Sequence, residues 1–302
     1  LVPSAGYKNV PDVSLYDHMK TTAAIASCLY KSSDDEPFLL IEGDVSGIQN
    51  YIYNIRGSGA QGLQMSKRLR GRSFEICITT DAVVEYLLNL MELPRFHVVF
   101  NGGGNFIILA PNSKEIADRL EEVENTINRF LLGYYDGMLG IVLGYVAVPE
   151  EEIMNFGGHA DMLKKLMAGR KQRKFQGILE EPLFGPYDFS EDARDVCPVC
   201  GRDFPGGSGP TCSACERQVE IGNSIPSRSG LEGPSLRIIR VCSKNGDACA
   251  DALIPFPELG IYYYFVSGPE RERELMKSLA THGPDSVDVL NVNTLDFLHD
   301  EK

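Results

Sequence analysis

The chain has 302 residues, 43% hydrophobic and 24% charged, enough to bury a core in roughly two domains of ordinary size. Its formal net charge of −13 opposes generic binding to a polyanion, so any nucleic-acid contact needs a local basic patch or a partner. No apolar run approaches the roughly 20 residues that span a bilayer, and no signal-peptide pattern opens the chain; a cytoplasmic protein without a membrane partner is expected.

A first residue of Leu1 rather than Met is what a processed or cut-out piece of something longer would show. Residues 12–30 read as a helix, capped by Asp12 or Ser14, with Leu15, Met19, Ala23 and Leu29 as an imperfect apolar stripe. A polar loop follows and ends at Pro37. Phe38-Leu39-Leu40-Ile41 is an apolar run of the kind found in a strand buried on both faces. It leads into Glu42-Gly43-Asp44-Val45-Ser46-Gly47, which puts a carboxylate and a hydroxyl at the strand's C-terminal end. A helix broken around Gly57-Ser58-Gly59 is expected to run up to Leu93, stopped by Pro94.

Residues 96–100 and 106–109 then read as two strands joined by Asn101-Gly102-Gly103-Gly104-Asn105, the turn chemistry of an antiparallel hairpin. A helix over 113–132 presents Ile116, Leu120, Val123, Ile127 and Phe130 at helical spacing, and a fourth strand covers 140–148. The order is β-α-β-β-α-β. This predicts an α+β, ferredoxin-like four-stranded antiparallel sheet with helices on one face.

Pro149-Glu150-Glu151-Glu152 opens a further helix with acids in its first turn, running toward Arg170-Lys171-Gln172-Arg173-Lys174. Residues 176–235 are rich in Gly, Pro and Ser. Residues 236–241 and 261–266 read as strands, and 269–280 as a charged helix. The resulting division is 1–36 as an N-terminal helix and linker, 37–150 as the sheet domain, 151–235 as a helical and cysteine-bearing module with a zinc ribbon, and 236–302 as strands returning to the first sheet plus a C-terminal segment.

The most specific motif is Cys197-x2-Cys200 with Cys212-x2-Cys215. Tetrahedral zinc takes four thiolates, and a two-residue gap lets both sulfurs of a pair reach one ion from a tight turn. Gly201 follows the first pair, and eleven residues separate the two pairs. With all four positions filled by cysteine, the metal is expected to be structural. The other cysteines (Cys28, Cys77, Cys242, Cys249) are scattered, and the five histidines show no metal spacing.

The second motif is the strand end at Asp44 facing the hairpin tip. Palm-type polymerases and cyclases hold two metal ions with acids at these two places. Here the tip reads Gly104-Asn105, and Asp44 alone cannot assemble a two-metal site. The tip glycines either offer backbone N–H groups to phosphate or form a plain flexible turn. Six cations between Lys164 and Lys174 are either a solvated helix face or a contact to a phosphate backbone. The same two readings hold for Lys67-Arg68-Leu69-Arg70-Gly71-Arg72.

These stretches together resemble one family. The segments are Asp12 to His18 with Lys20 to Ala24, Glu42 to Gln49, Leu69 to Phe74, Gly102 to Phe106, and the two cysteine pairs. Their order and spacing are similar to the large subunit of type III-A (Csm-type) CRISPR effector complexes over essentially the whole chain. In that family the large subunit carries an HD nuclease domain, two palm domains of the nucleotidyl-cyclase type, a zinc domain and a C-terminal helical domain. It makes cyclic oligoadenylate and cuts single-stranded DNA in antiviral defence.

The resemblance covers the first palm and the zinc domain; neither the HD signature nor the Gly-Gly-Asp-Asp hairpin of the second palm occurs in this chain. It implies a degenerate palm that binds ATP without catalytic residues of its own. Asp44, Ser46, Gly47, Gly102, Gly103, Gly104 and Asn105 are then the nucleotide-binding residues. Magnesium or manganese would come with ATP only in complex with the second palm. Implied partners are that second palm of the same large subunit, the other Csm subunits, and guide and target RNA indirectly. The rival readings are a scaffold for guide RNA–protein assembly and a stand-alone nucleotidyl cyclase homodimer.

Overall fold

The structure is a computed structural model that describes residues 14–32, 35–56, 64–181, 196–203, 209–225, 236–244 and 246–291. The chain divides into two compact units. One comprises Leu1–Asn50 and Thr79–Asp188, the other Tyr51–Ile78 and Phe189–Lys302. The break foreseen at Gly57-Ser58-Gly59 lies outside the described residues, as does Asp12. Ser14 is the cap of the first helix: its hydroxyl accepts from the Asp17 N–H at 3.2 Å.

In the first unit, α1 (Leu15–Lys31) precedes β1 (Phe38–Ser46). The short α2 (Ile48–Tyr53) and the long α3 (Met65–Leu90) follow, each shared between the two units. The hairpin β2 (Val98–Gly102) and β3 (Asn105–Pro111) comes next, then α4 (Lys114–Tyr135) and β4 (Gly140–Val148). After a 3-10 turn over Glu150–Asn155 comes α5 (Phe156–Lys171), followed by a further 3-10 turn over Gln176–Ile178. The strands form one antiparallel sheet in the order β2-β3-β1-β4, with β1 central between β3 and β4. That is the strand order a β-α-β-β-α-β chain requires when its two central strands are the first and third.

The sheet is covered on both faces, which corrects the expectation of helices on one face only. Phe38 and Leu40 of β1 pack with Ala24 and Cys28 of α1 and with Leu163 and Met167 of α5. Leu39 and Ile41, on the opposite face, are also buried. The reason is in β1 itself: an apolar run at both parities loses free energy on either face that stays wet. At the β4 edge, α4 replaces a missing strand partner. Asn128 donates to the Ile141 carbonyl at 2.9 Å and accepts from the Ile141 N–H at 2.8 Å, and the Leu143 N–H reaches Glu124 at 2.6 Å.

The second unit contains β5 (Leu236–Cys242), β6 (Ile254–Phe256), β7 (Ile261–Ser267), α7 (Pro269–His282) and β8 (Ser286–Asn291), preceded by α6 (Ser213–Ser224). The strands of this region do not return to the first sheet, a correction to the expected division. They make a second four-stranded antiparallel sheet, β6-β7-β5-β8. Its partners are set by local connections: β5 pairs β7 over their full length, and α7 swings the chain back so that β8 pairs β5. One face buries Ile239, Val241, Tyr262 and Tyr264 under Leu275 and Leu279 of α7. On the other, Phe265 meets Phe74 of α3 edge to face at 5.6 Å.

Candidate functional site

Two sites emerge, one in each unit. The first is the strand end and hairpin tip. Asp44 is in register with Asn105 on β3 and with Val142 on β4, so the sequence-predicted carboxylate does stand beside the tip. The Val45 N–H donates to the Gly104 carbonyl at 2.8 Å. Gly103 and Gly104 have φ of +64° and +90°, the left-handed pair that a two-residue hairpin turn demands. At Gly104 a β-carbon would also run into the Ile48 side chain. Gly47, at +97°, turns the chain out of β1, where a β-carbon would strike the Met138 carbonyl. Ser46 pairs with Gly140, and Gly102 with Asn105.

Asp44, Ser46, Gly47, Gly102, Gly103, Gly104 and Asn105 are thus gathered at one end of one sheet. Two further residues join them that the motif did not single out. Glu42, two positions before Asp44 and therefore on the same face of β1, is only 3% exposed. The Asn105 amide donates to Glu42 Oε1 at 2.7 Å and approaches Asp44 Oδ2 at 3.4 Å. Glu42 Oε2 is buried without a hydrogen-bond partner. The second is Lys171, whose Nζ lies 2.5 Å from Asp44 Oδ2. Leu163 and Met167, two turns and one turn earlier on α5, are in the core, and the same stripe delivers Lys171 to the strand end. The sequence signal for Lys171 was the basic run; its target was not readable.

Of the rest of that run, Arg170 and Lys174 are half-buried, while Lys164, Lys165 and Arg173 are exposed. Arg170 pairs with Glu124 at 2.9 Å, Lys164 with Asp161 at 3.6 Å, and the Lys174 ammonium lies over the Phe175 ring at 5.1 Å. The other basic cluster is also partly internal. Arg72 is 1% exposed and donates to the carbonyls of Tyr51, Ile52 and Asn54 and to Gln218 of α6. Beside it Tyr51 donates to Glu75, whose carboxyl is held above its ordinary range by burial, with Arg217 at 3.7 Å opposing that rise. Arg72 is therefore a packing element, not a free cation.

The second site is the cysteine cluster. Cys197, Cys200, Cys212 and Cys215 are all buried, and their sulfurs lie within 4.8 Å of one another. Cys197 and Cys215 are 3.9 Å apart, and Cys200 and Cys212 3.6 Å. Four thiolates at tetrahedral Zn–S distances would be about 3.8 Å apart, so the donor set fits zinc. The first pair lies in a tight turn closed by the Val196–Asp203 bridge, with Gly201 at φ +75° accepting no side chain there without strain. The second pair opens α6, where Cys212 is the residue before the helix and Cys215 lies in its first turn. Hydrogen bonds from the Cys200 and Cys215 thiols pull Cys212 well below the usual thiol range, so one thiolate is already favoured. The turn also holds Arg56, whose N–H donates to the Val199 carbonyl at 2.7 Å.

The family model described as "Csm1 subunit domain B" matches residues 37–188. The Cas10/Csm1 single-strand-specific deoxyribonuclease of the subtype III-A CRISPR system of Thermococcus onnurineus (strain NA1) is 30% identical over 94% of this chain and 38% of its own length. The protein of the same description from Enterococcus italicus is 30% identical over 74% of this chain and 32% of its own. Among solved structures, a Csm1–Csm4 cassette in complex with AMPPNP superposes with a TM-score of 0.58 at 26% identity, covering 85% of this chain and 30% of that one. A Csm1–Csm4 cassette in complex with cA3 gives 0.58 at 28% identity, covering 85% and 31%. The chain spans about a third of the length of these relatives. No helix among the described residues is long and apolar enough to cross a membrane. The chain belongs to the Csm1 family, the large subunit of subtype III-A CRISPR systems.

Proposed function

We propose that this chain is the non-catalytic palm and zinc-bearing portion of a type III CRISPR effector large subunit. In this reading it binds ATP and helps a second palm make cyclic oligoadenylate when target RNA is recognised. The observation that carries it is the register of Asp44 with Asn105: the sheet brings strand end and hairpin tip together, and the tip presents an amide and two glycines where a metal-binding palm needs acids. The β2-β3-β1-β4 order supports the ferredoxin-like assignment of residues 37–150. The Csm1–Csm4 cassettes solved with AMPPNP and cA3 support a nucleotide at this fold.

Asp44, Ser46 and Gly47 would border the ribose or phosphates of one ATP, and Gly102, Gly103, Gly104 and Asn105 would line the opposite wall. Backbone N–H groups at the glycine tip suit an anion because no side chain screens them. Magnesium or manganese would arrive with ATP and be held by the second palm. Cys197, Cys200, Cys212 and Cys215 would hold zinc, which would staple the turn at 197–203 to α6 and take no part in chemistry. Other Csm subunits would be direct partners, and guide and target RNA indirect ones.

The test is the purified chain with ATP and magnesium or manganese, alone and with the second palm supplied as a separate polypeptide. The reading expects no oligoadenylate from the chain alone and products when both palms are present. Robust synthesis by this chain alone would overturn it and favour the homodimeric cyclase. Calorimetry that finds no ATP binding in either state would favour the scaffold.

A further inference from the structure

The strand end is built like a cation site, and the chain fills it with a side chain of its own. Glu42 and Asp44 project from one face of β1, and Asn105 bridges them with a single amide nitrogen. Asp44 is about one fifth exposed and Glu42 almost fully buried, so neither carboxylate is neutralised by bulk water. One oxygen of Glu42 has no hydrogen-bond partner among the described residues. A buried acceptor in that state marks a place where positive charge or a donor belongs.

Among the described residues, the cation paired with this acidic couple is Lys171. Its neighbour Arg170 is committed to Glu124, and Lys174 lies on Phe175. The approach of Lys171 is fixed by the helix beneath it. Gly144 is in register with Glu42, and a β-carbon there would come to 2.6 Å from the Met167 sulfur, so α5 passes directly over the acidic pair. Its next turn carries the ammonium to Asp44.

We infer that Lys171 is an internal counter-ion that occupies the place of a divalent metal beside Glu42 and Asp44, and so keeps this half of the molecule metal-free. A hard ion such as Mn²⁺ prefers the carboxylate and amide oxygens gathered here, and does not compete well for the thiolates of the cysteine cluster. It is excluded because binding it would require displacing an ammonium already in contact with Asp44. The inference concerns the cation alone and stands whether or not a nucleotide binds at the tip.

The experiment is a Mn²⁺ titration of the purified chain followed by electron paramagnetic resonance of the free ion. Wild type is expected to show no manganese binding that depends on Asp44. Lys171→Met should gain one site, tighter by about tenfold or more, because two carboxylates are left without a cation. That gain should vanish when Glu42→Gln or Asp44→Asn is added to Lys171→Met, and Lys171→Arg should behave as wild type. Circular dichroism checks the fold, and Lys171→Gln serves if the methionine variant proves unstable. Asp44-dependent manganese binding by wild type, or no gain in either lysine variant, would overturn the inference.

Discussion

The Asn105 side-chain amide donates to Glu42 Oε1 at 2.7 Å, across the β1–β3 ladder. This one bond holds a nearly buried carboxylate at the place where the hairpin tip meets the strand end. Removing it leaves both oxygens of Glu42 short of donors. Asn105→Ala should therefore destabilise the first unit by about 1–3 kcal/mol, the usual cost of orphaning a buried acceptor. Thermal denaturation of the variant beside wild type measures it. Asn105→Asp is expected to be worse, since a third carboxylate would face Glu42. An Asn105→Asp protein as stable as wild type in chelator would show that Glu42 is not held by this bond.

A second prediction sets steric fit against helix propensity. Gly71 is in the second turn of α3, inside the helix, where alanine is worth about 1 kcal/mol more than glycine. A β-carbon there would overlap the backbone carbonyl of Gln218 on α6. Gly222 makes the reciprocal approach to the backbone of Lys67. Backbone cannot swing away as a side-chain tip can, so the two helices would have to separate. Gly71→Ala should lower stability by about 1–3 kcal/mol despite its better propensity. Urea denaturation decides, and a stabilised variant would mean that α3 and α6 are not packed this closely.

Removal of metal gives the third. The sulfurs of Cys197, Cys200, Cys212 and Cys215 converge from a short turn and a helix start whose apolar neighbours among the described residues are Val199, Ile55 and Ala214. Without an ion, little else would hold the turn to α6. Purified chain should carry one zinc by elemental analysis. Chelation, or Cys197→Ser, should open the 196–225 region to proteolysis while the first sheet stays folded. Freshly purified protein without zinc would contradict the assignment.

Much of this was legible in the sequence because it is local. Phe38-Leu39-Leu40-Ile41 announces a strand buried on both faces, and a run of glycines between two β-branched or aromatic stretches announces a hairpin. Cysteine spacing announces the cluster. What stayed hidden depends on pairing between distant segments. Residues 236–241 and 261–266 read as strands, but nothing in them says that they pair with each other and with 286–291 instead of with β1. The α6 helix was obscured by its cysteines and by the glycine- and proline-rich stretch around it. Lys171 was one cation among six; only the stripe Leu163, Met167, Lys171 on a docked helix gives it a target.

The last prediction concerns acid stability. His97 is fully buried; its Nδ1 lies 2.6 Å from the Leu109 carbonyl and its Nε2 3.1 Å from the Ser27 hydroxyl. Burial pushes its imidazole below the ordinary value of 6.5; the bond to Leu109 opposes this, and nearby Lys31 adds to it. The folded state thus prefers the neutral ring. Above pH 6.5 the ring is neutral in both states and the stability is unaffected by it. As pH falls below 6.5 the unfolded chain takes up a proton that the folded chain resists, so stability declines until the folded value is reached. Melting temperature should fall between pH 7 and the lowered folded value, and His97→Gln should flatten that part of the profile while lowering its upper end. A wild-type melting temperature that rises as pH drops through 6.5 would mean that the ring is charged inside the fold.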